Sequence, residues 1–432
     1  MKILVFDQAS WDDTNAAGNT LSNLFSGWNS DEFASFYTRK QVPNNSIVSE
    51  YYSVSALDLL KNLLYKRNKS NRFTSDQIGS LREKIEKQHI AEQGSIDRLH
   101  QTNNELIYWG MEAVWRSRIW IDREFKEFVK DFSPDILFAF CTSTYILDPL
   151  INYLKKKLGT KIVLFIVDDV YGDYSKKGFF RRGYLKRSFR NCIKNADLLY
   201  GISKELCSAY EEAFGRKIVP LYKGCEFTDV GPKTFNSPLK IVYAGNLFYG
   251  RDDTLAAVAG CLKKINDGGL TAELEIYTAA TITDKIEKKL NIPGTSRIMG
   301  KRPYDEIKRI LSEADIVLHV ESFDPKQTEY VHYSFSTKIV DCLQSGSGVL
   351  AIGPSGIASI EYLKGVPGAK VIDDPGNIEN VLTEMVSKKD ELSESVKKIR
   401  DYALVHHDIN KIRNDLRNDF LNVVDSKVVE KF

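Results

Sequence analysis

Short apolar runs separated by amphipathic stretches recur along most of the chain. In the first half the runs fall at Lys2–Phe6, Asp135–Phe140, Lys161–Val167 and Leu198–Ile202, with a weaker one at Lys217–Leu221. They are short, nearly continuous and rich in Ile, Val, Leu and Phe, which predicts strands covered on both faces. Between them Ala17–Leu24, Tyr145–Leu158 and Lys204–Phe214 read as helices. The second half repeats the scheme, with strands predicted at Leu239–Ala244, Ala272–Tyr277, Ser296–Met299, Ile316–Val320, Val349–Ile352 and Ala369–Ile372. Helices are predicted at Asp253–Asn266, Ile282–Leu290, Tyr304–Glu313, Thr337–Gln344, Ile378–Ser387 and Leu392–Leu404. Such alternation predicts an α/β protein with a parallel sheet and helices on both faces, once in each half.

Two regions depart from the pattern. Lys61–Lys130 is long, polar and helical in character, with Trp109, Trp115 and Trp120 in its second part, and reads as a helical insertion. Asp408–Val424 is one more amphipathic helix, its apolar positions Ile409, Ile412, Leu416, Phe420 and Val423 stepping by three or four. Gly224–Pro238 has no periodicity and contains Gly231-Pro232 and Ser237-Pro238, the turn chemistry of a linker. The predicted organisation is a first domain over 1–222 with an insertion at about 61–130, a linker at 223–238, a second domain over 239–405, and a terminal helix in 406–432.

Length agrees with two domains, since 432 residues exceed what one core usually supports. A 43% hydrophobic and 27% charged composition is that of a globular protein. The net charge of +2 gives no global case for a nucleic-acid partner. Cys141, Cys192, Cys207, Cys225, Cys261 and Cys342 are scattered without a Cys-x-x-Cys pair. They read as small buried hydrophobes in a reducing compartment rather than as a zinc site. The opening run ending at Phe6 is too brief for a signal-peptide core, and the longest apolar run, Ile162–Val167, is far short of a membrane span. The expected location is the cytoplasm, with room for a place at the inner face of the membrane.

Several chemistries lack their motifs. The turn after the first strand reads Asp7-Gln8-Ala9-Ser10 rather than a glycine-rich dinucleotide loop, and no Walker loop, nucleophile elbow or His-Glu-x-x-His pair occurs. The six histidines, His89, His100, His319, His332, His406 and His407, form no evident ligand set. In open α/β sheets ligands bind beyond the carboxyl ends of the strands, so the residues after each strand are the candidates.

After Leu239–Ala244 comes Gly245-Asn246-Leu247-Phe248-Tyr249-Gly250-Arg251. Glycine lets a backbone approach a phosphate closely, a helix start offers free N–H groups, and Arg251 adds a fixed cation. Further on, Ser336 and Thr337 can cap a helix or expose N–H groups to an anion. Lys338 in the first turn opposes the helix dipole, a cost that a diphosphate would offset. Asp341, one turn later, can accept from ribose hydroxyls. The plain alternatives are an ordinary strand–helix turn and a capped helix with solvated charges.

These stretches carry a resemblance. Lys240 to Ala351 resembles the nucleotide-binding domain of GT-B glycosyltransferases near glycosyltransferase family 4. The matching pieces are the glycine loop after the strand, Glu-Ala-Asp-Ile-Val-Leu at Glu313–Leu318, and Ser-Thr-Lys-Ile-Val-Asp-Cys-Leu-Gln-Ser-Gly at Ser336–Gly346 leading into Val-Leu-Ala. Asn195–Leu206 and Lys223–Phe227 add matches before it. The resemblance implies the GT-B fold: two Rossmann-like doubly wound domains facing across a cleft, with the C-terminal helix crossing back to the first. It implies a donor diphosphate held by Gly245, Asn246, Ser336, Thr337 and Lys338 with help from Arg251, a ribose at Asp341, and a nucleobase near Lys301 and Arg302. Gly18 and Asn19 would lie on a first-domain loop at the cleft. A UDP- or GDP-type sugar would be the co-substrate, with no cofactor and no metal.

Phe165–Asp173 resembles the stretch that carries His-Asp or a double Asp in related transferases. Adjacent side chains at a strand end point opposite ways, so one of Asp168 and Asp169 would face the cleft and take the acceptor proton. Just downstream, Lys176–Arg190 holds seven cations, no acids and four aromatics. Arg181, Arg182, Tyr184 and Lys186 there suit a lipid-diphosphate acceptor or an anionic membrane surface, the alternative being a solvated face. Lys61–Arg72 repeats that flavour with five cations and no acids. The expected activity is hexosyl transfer to a glycan or lipid-linked acceptor in surface-polysaccharide or glycoconjugate assembly. A non-catalytic GT-B partner subunit and a nucleotide-sugar epimerase are the competing readings.

Overall fold

Lys2–Asp7 forms the first strand, β1, and its four central residues are buried, as a run read apolar on both faces requires. The computed structural model describes all residues except 29–30, 66–70, 103–104, 228–232 and 427–432. The chain divides into two units: residues 1–202, 207–221 and 413–432, and residues 203–206 and 222–412.

The first unit is built on an eight-stranded sheet. After β1 come β2 (Glu32–Tyr37), β3 (Glu50–Ser53), β4 (Arg72–Thr74), β5 (Ile136–Phe140), β6 (Lys161–Ile166), β7 (Leu198–Gly201) and β8 (Val219–Pro220), in the spatial order β4-β3-β2-β1-β5-β6-β7-β8. All neighbours are parallel except β3 and β4. β2 and β3 escape the hydrophobic pattern because Ser35, Tyr51 and Tyr52 fill positions that the sheet buries, and β4 is three residues long with Phe73 alone buried.

The stretch read as a helical insertion contains the helices Ile78–Thr102, Glu105–Arg116 and Arg123–Phe132, but also β4. The last of these helices buries Phe125, Phe128, Val129 and Phe132 and belongs to the core. Trp120 is buried there, stacked on Phe36 at 5.2 Å. The basic segment at 61–72 lies largely outside the described residues, as does Gly231-Pro232 of the linker.

The second unit holds a six-stranded parallel sheet: β9 (Leu239–Ala244), β10 (Ala272–Tyr277), β11 (Ser296–Gly300), β12 (Ile316–Val320), β13 (Gly348–Ile352) and β14 (Lys370–Ile372). Their order is β11-β10-β9-β12-β13-β14. That is the doubly wound order, with its reversal between β9 and β12. In the first sheet the reversal lies between β1 and β5. The helix Ile409–Asp425 passes to the first unit from Arg413 onward. There Phe420 is fully buried among Phe25, Trp28 and Phe138, and Tyr200 donates to Asp419 at 2.6 Å. Among the described residues no helix is long and apolar enough to cross a membrane.

Candidate functional site

At the reversal between β9 and β12, Arg251 and Glu321 meet in the second unit. β9 ends at Ala244, and the loop that follows turns through Tyr249 (φ 59°) and Gly250 (φ 71°) into the helix Arg251–Ile265. Two successive left-handed residues, one of them a tyrosine, mark a strained turn. The strain is held in place. Tyr243 donates to the Asn246 carbonyl at 2.5 Å, and Asn246 Oδ1 accepts from Phe248 N at 3.2 Å and from Arg251 at 2.7 Å. A side chain at Gly250 would meet Ser322 Oγ at 2.6 Å, so the loop closes tightly on the end of β12.

Arg251 is fixed by a residue that sequence reading did not single out. Its Nε and NH2 donate to the two carboxylate oxygens of Glu321, each at 3.0 Å. Glu321, immediately after β12, is 2% exposed, and burial pushes its carboxyl up against the pull of Arg251. Thr254 donates to its backbone carbonyl at 2.8 Å. His319 is buried beside it, with no hydrogen-bond partner at Nε2, and burial with the nearby Arg251 and Lys338 holds it down to about 3. His319 is therefore neutral at physiological pH.

Lys338 opens the helix Lys338–Gln344 and completes this group. It keeps surface in contact with solvent, yet its ammonium is held below the usual value, first by desolvation and then by the like charge of Arg251. Glu321 acts in the opposite direction. Glu321 is engaged by Arg251, and Lys338, close enough to be repelled by Arg251, would be favoured by an arriving anion. Thr337 caps this helix without a side-chain hydrogen bond, and the Ser336 carbonyl accepts from Ile339 N at 2.9 Å. Gly245, Asn246 and Arg251 fall on the loop and helix start after β9, and Ser336, Thr337 and Lys338 on the second helix start.

Asp341 is buried one turn further on. Tyr304 donates to its Oδ1 at 2.8 Å, Gln344 at 3.4 Å, and Lys223 stands 3.5 Å from the same oxygen. None of these three contacts falls on Oδ2. Lys223, which sequence reading placed in the linker, also donates to Tyr304 at 3.0 Å and belongs to this unit. Arg302 lies past β11, at the edge of the sheet, in a half-exposed pair with Glu306 at 3.4 Å.

In the first unit the reversal between β1 and β5 carries its own polar cluster. Asp7 ends β1, and Gln8 N donates to it at 2.7 Å. Burial pushes the Asp7 carboxyl up to about 6, against the backbone donors and Arg39. The Gln8 side chain donates to Ser143 and Tyr145, which follow β5, and accepts from Arg39 at 3.3 Å. Nothing in the one-dimensional pattern distinguishes Asp7 from any polar strand end.

Several expected positions need correction. Gly18 and Asn19 lie on the first turns of the helix Ala16–Phe25 rather than on a loop. Gly18 N donates to the cap Asn15 at 2.8 Å, and a side chain there would meet the Asp12 carbonyl at 2.1 Å, so the glycine serves a close backbone approach. Asp169 caps the helix Val170–Ser175 through Gly172 N at 2.9 Å and accepts from Tyr210 at 2.7 Å on the same oxygen. Asp168 is exposed. Arg181 is no surface cation: it is buried against Glu112 and Glu105. The Tyr184 hydroxyl is buried, with Arg116 over its ring at 4.1 Å. Arg182 remains exposed, and Lys186 lies over the Tyr171 ring at 4.6 Å.

No family model matches the chain, and no curated protein matches it in sequence. Solved structures match it in fold. HepE of Anabaena in complex with UDP covers 98% of this chain and 100% of its own at 12% identity, with a TM-score of 0.62. Its complex with UDP-glucose gives the same coverage and identity at 0.58. Sucrose-phosphate synthase of Thermosynechococcus elongatus covers 99% and 100% at 9% identity, with a TM-score of 0.62. The chain therefore has the GT-B fold, an α/β architecture of two Rossmann-like units.

Proposed function

We propose that this protein is a Leloir-type hexosyltransferase. It moves a sugar from a nucleotide diphosphate of UDP or GDP type onto a glycan or lipid-diphosphate-linked acceptor, in the assembly of a surface polysaccharide or glycoconjugate. The observation that carries the reading is Arg251 held by both carboxylate oxygens of Glu321 at the strand ends of the second sheet, with Lys338 near enough to feel the charge of Arg251. The UDP and UDP-glucose bound to a protein of the same fold support the choice of donor class.

In this reading the diphosphate rests against Arg251, Lys338, the N–H groups at Gly245 and Asn246, and the helix start at Ser336–Thr337. As the sugar–phosphate bond breaks, negative charge grows on the leaving diphosphate. Arg251 is already oriented by Glu321, so its stabilisation needs no reorganisation. Lys338 gains a counter-charge and recovers its proton affinity. These side chains supply the neutralising charge, so transfer is metal-independent. Asp341 Oδ2 accepts from the ribose, and Arg302 lies toward the base.

The acceptor proton goes to a first-unit carboxylate. Asp7 and Asp168 are the candidates, because Asp169 is committed to its helix cap. A carboxyl near 6 is well matched to proton transfer near neutral pH.

A thermal-shift panel of nucleotide sugars, followed by calorimetry with the best one, tests the proposal. One donor class should stabilise the protein, and its free nucleoside diphosphate should bind comparably. If no nucleotide sugar shifts the transition, the transferase reading is lost and the partner-subunit reading takes its place.

A further inference from the structure

Two helices of the first unit, distant in sequence, are fastened by one buried arginine in the first turn of the second, which reaches both the start and the later part of the first. Arg181 Nε and NH2 donate to the two oxygens of Glu112 at 3.1 and 2.6 Å, and NH1 donates to Glu105 at 2.9 Å. Its guanidinium also lies over the Tyr108 ring at 5.1 Å. Arg116 over Tyr184 adds a second fastening further along. Glu105–Arg116 is thereby held along Phe179–Asn195.

The end so assembled presents apolar side chains to water. Phe179 is 75% exposed and Phe180 81%, the rings 5.6 Å apart. Leu106 and Trp109, in the opening turns of the partner helix, are 75% and 45% exposed. Lys176, Lys177, Arg182 and Arg187 are exposed around the phenylalanines, and Arg182 lies over the Phe179 ring at 5.8 Å. Glu105 is committed to Arg181, and the exposed Asp173 pairs with Lys176 at 3.5 Å, so Lys177, Arg182 and Arg187 are the cations of the patch without a carboxylate in these pairs.

Two rings standing in water give up the hydrophobic stabilisation that burial would bring. A second copy of the same cationic patch would be repelled rather than welcomed. An anionic bilayer meets both features, taking apolar side chains below its phosphates and cations beside them. We propose that Phe179, Phe180, Leu106 and Trp109 form a membrane-docking patch that enters the interface of an anionic bilayer, with Lys176, Lys177, Arg182 and Arg187 resting on the lipid phosphates. Arg181 is a positioning residue that assembles the patch. The proposal gives the acceptor side of the transfer reading a physical location, but its evidence does not depend on the donor chemistry.

The test uses vesicles of phosphatidylcholine alone and of phosphatidylcholine with phosphatidylglycerol. The full chain should sediment with the anionic vesicles and release at high salt. Trp11, Trp28, Trp115 and Trp120 are buried, so a blue shift of tryptophan emission on binding reports Trp109 and should vanish in Trp109→Phe. Phe179→Ala with Phe180→Ala should weaken partitioning roughly tenfold per ring. Lys177→Glu with Arg182→Glu should weaken it by at least about fivefold per position.

Calorimetry with UDP on the doubly alanine-substituted protein separates the two readings. Retained nucleotide affinity with lost vesicle binding in that variant supports the patch, and absent nucleotide binding in a parent that does bind anionic vesicles overturns the donor reading alone. If the parent ignores anionic vesicles, or the alanine variant sediments like the parent, the patch proposal is wrong. Binding of single-stranded RNA in place of vesicles would also overturn it.

Discussion

Replacing Asp7 by Asn tests whether the first unit keeps a costly carboxyl at its sheet reversal. The side chain ends β1 and is pushed from its ordinary 3.8 to about 6, chiefly by desolvation. At 1.36 kcal/mol per tenfold change in proton affinity, that corresponds to about 3 kcal/mol. The sign follows from linkage. A carboxyl whose affinity for its proton is higher folded than unfolded loses stability as pH rises through the interval between the two values. Above about 6 the native state carries the full penalty. Asn keeps the shape and can still accept from Gln8 N, but never ionises. Asp7→Asn should therefore match the parent near pH 4, gain about half the difference near pH 5, and exceed it by roughly 3 kcal/mol above pH 7. Chemical denaturation of both proteins across that range, read by a probe in the first unit, measures the gap. Turnover should fall if Asp7 is the proton acceptor, so stability and activity would move in opposite directions. A gap that does not vary with pH, or a variant weaker than the parent at neutral pH, would refute the reasoning.

Four further outcomes are expected. Lys338→Ala should weaken UDP binding by calorimetry about 10- to 100-fold, the value of a charge-assisted contact to phosphate. Unchanged affinity would remove Lys338 from the donor site. Glu321→Ala should destabilise the second unit by about 3–5 kcal/mol, because Arg251 is left buried without its carboxylate; denaturant midpoints check this. Arg181→Ala should cost the first unit a similar amount by stranding Glu112, while Arg181→Met combined with Glu112→Leu should recover much of it. If Arg251 and Lys338 supply the neutralising charge as proposed, turnover with a donor should be insensitive to a chelator; a collapse restored by magnesium would refute this.

The fold was legible where burial is written in apolar residues. β1, β5 and β6 are nearly continuous runs of Ile, Val, Leu and Phe, and so are β9, β12 and β13, which is why two parallel sheets could be read from spacing. β2 and β3 could not. β2 encloses Phe33, Ala34, Phe36 and Tyr37 but has Ser35 among them, and β3 encloses Tyr51, Tyr52 and Ser53, so polar groups interrupt both runs. The candidate site divides along similar lines. Gly245, Asn246 and Lys338 announce themselves by lying at strand or helix ends with unusual chemistry. Glu321 and Lys223 do not, because their meaning lies in partners far away in sequence, Arg251 for one and Asp341 for the other. Arg181 shows the reverse failure. A local run of cations reads as a surface, and only the long-range contact with Glu112 turns one of them inward.

Each unit has a group shifted against its charged form: Asp7 at the end of β1 in one, and Lys338 at the start of the helix Lys338–Gln344 in the other, where partial desolvation and the charge of Arg251 act on a side chain that still reaches solvent. The acid is shifted upward and the base downward. Burial alone could have been avoided at either place by a neutral side chain, so stability does not explain their presence. What the two shifts have in common is direction of use. A raised carboxyl readily takes a proton, and a depressed ammonium gains most when a polyanion arrives beside it. An acceptor hydroxyl that must lose a proton and a diphosphate that must leave charged are the two partners such groups would serve. The apolar cores beneath them, with Phe6 and Phe138 in one sheet and Ile241 and Ile316 in the other, can carry that expense because they are buried almost completely.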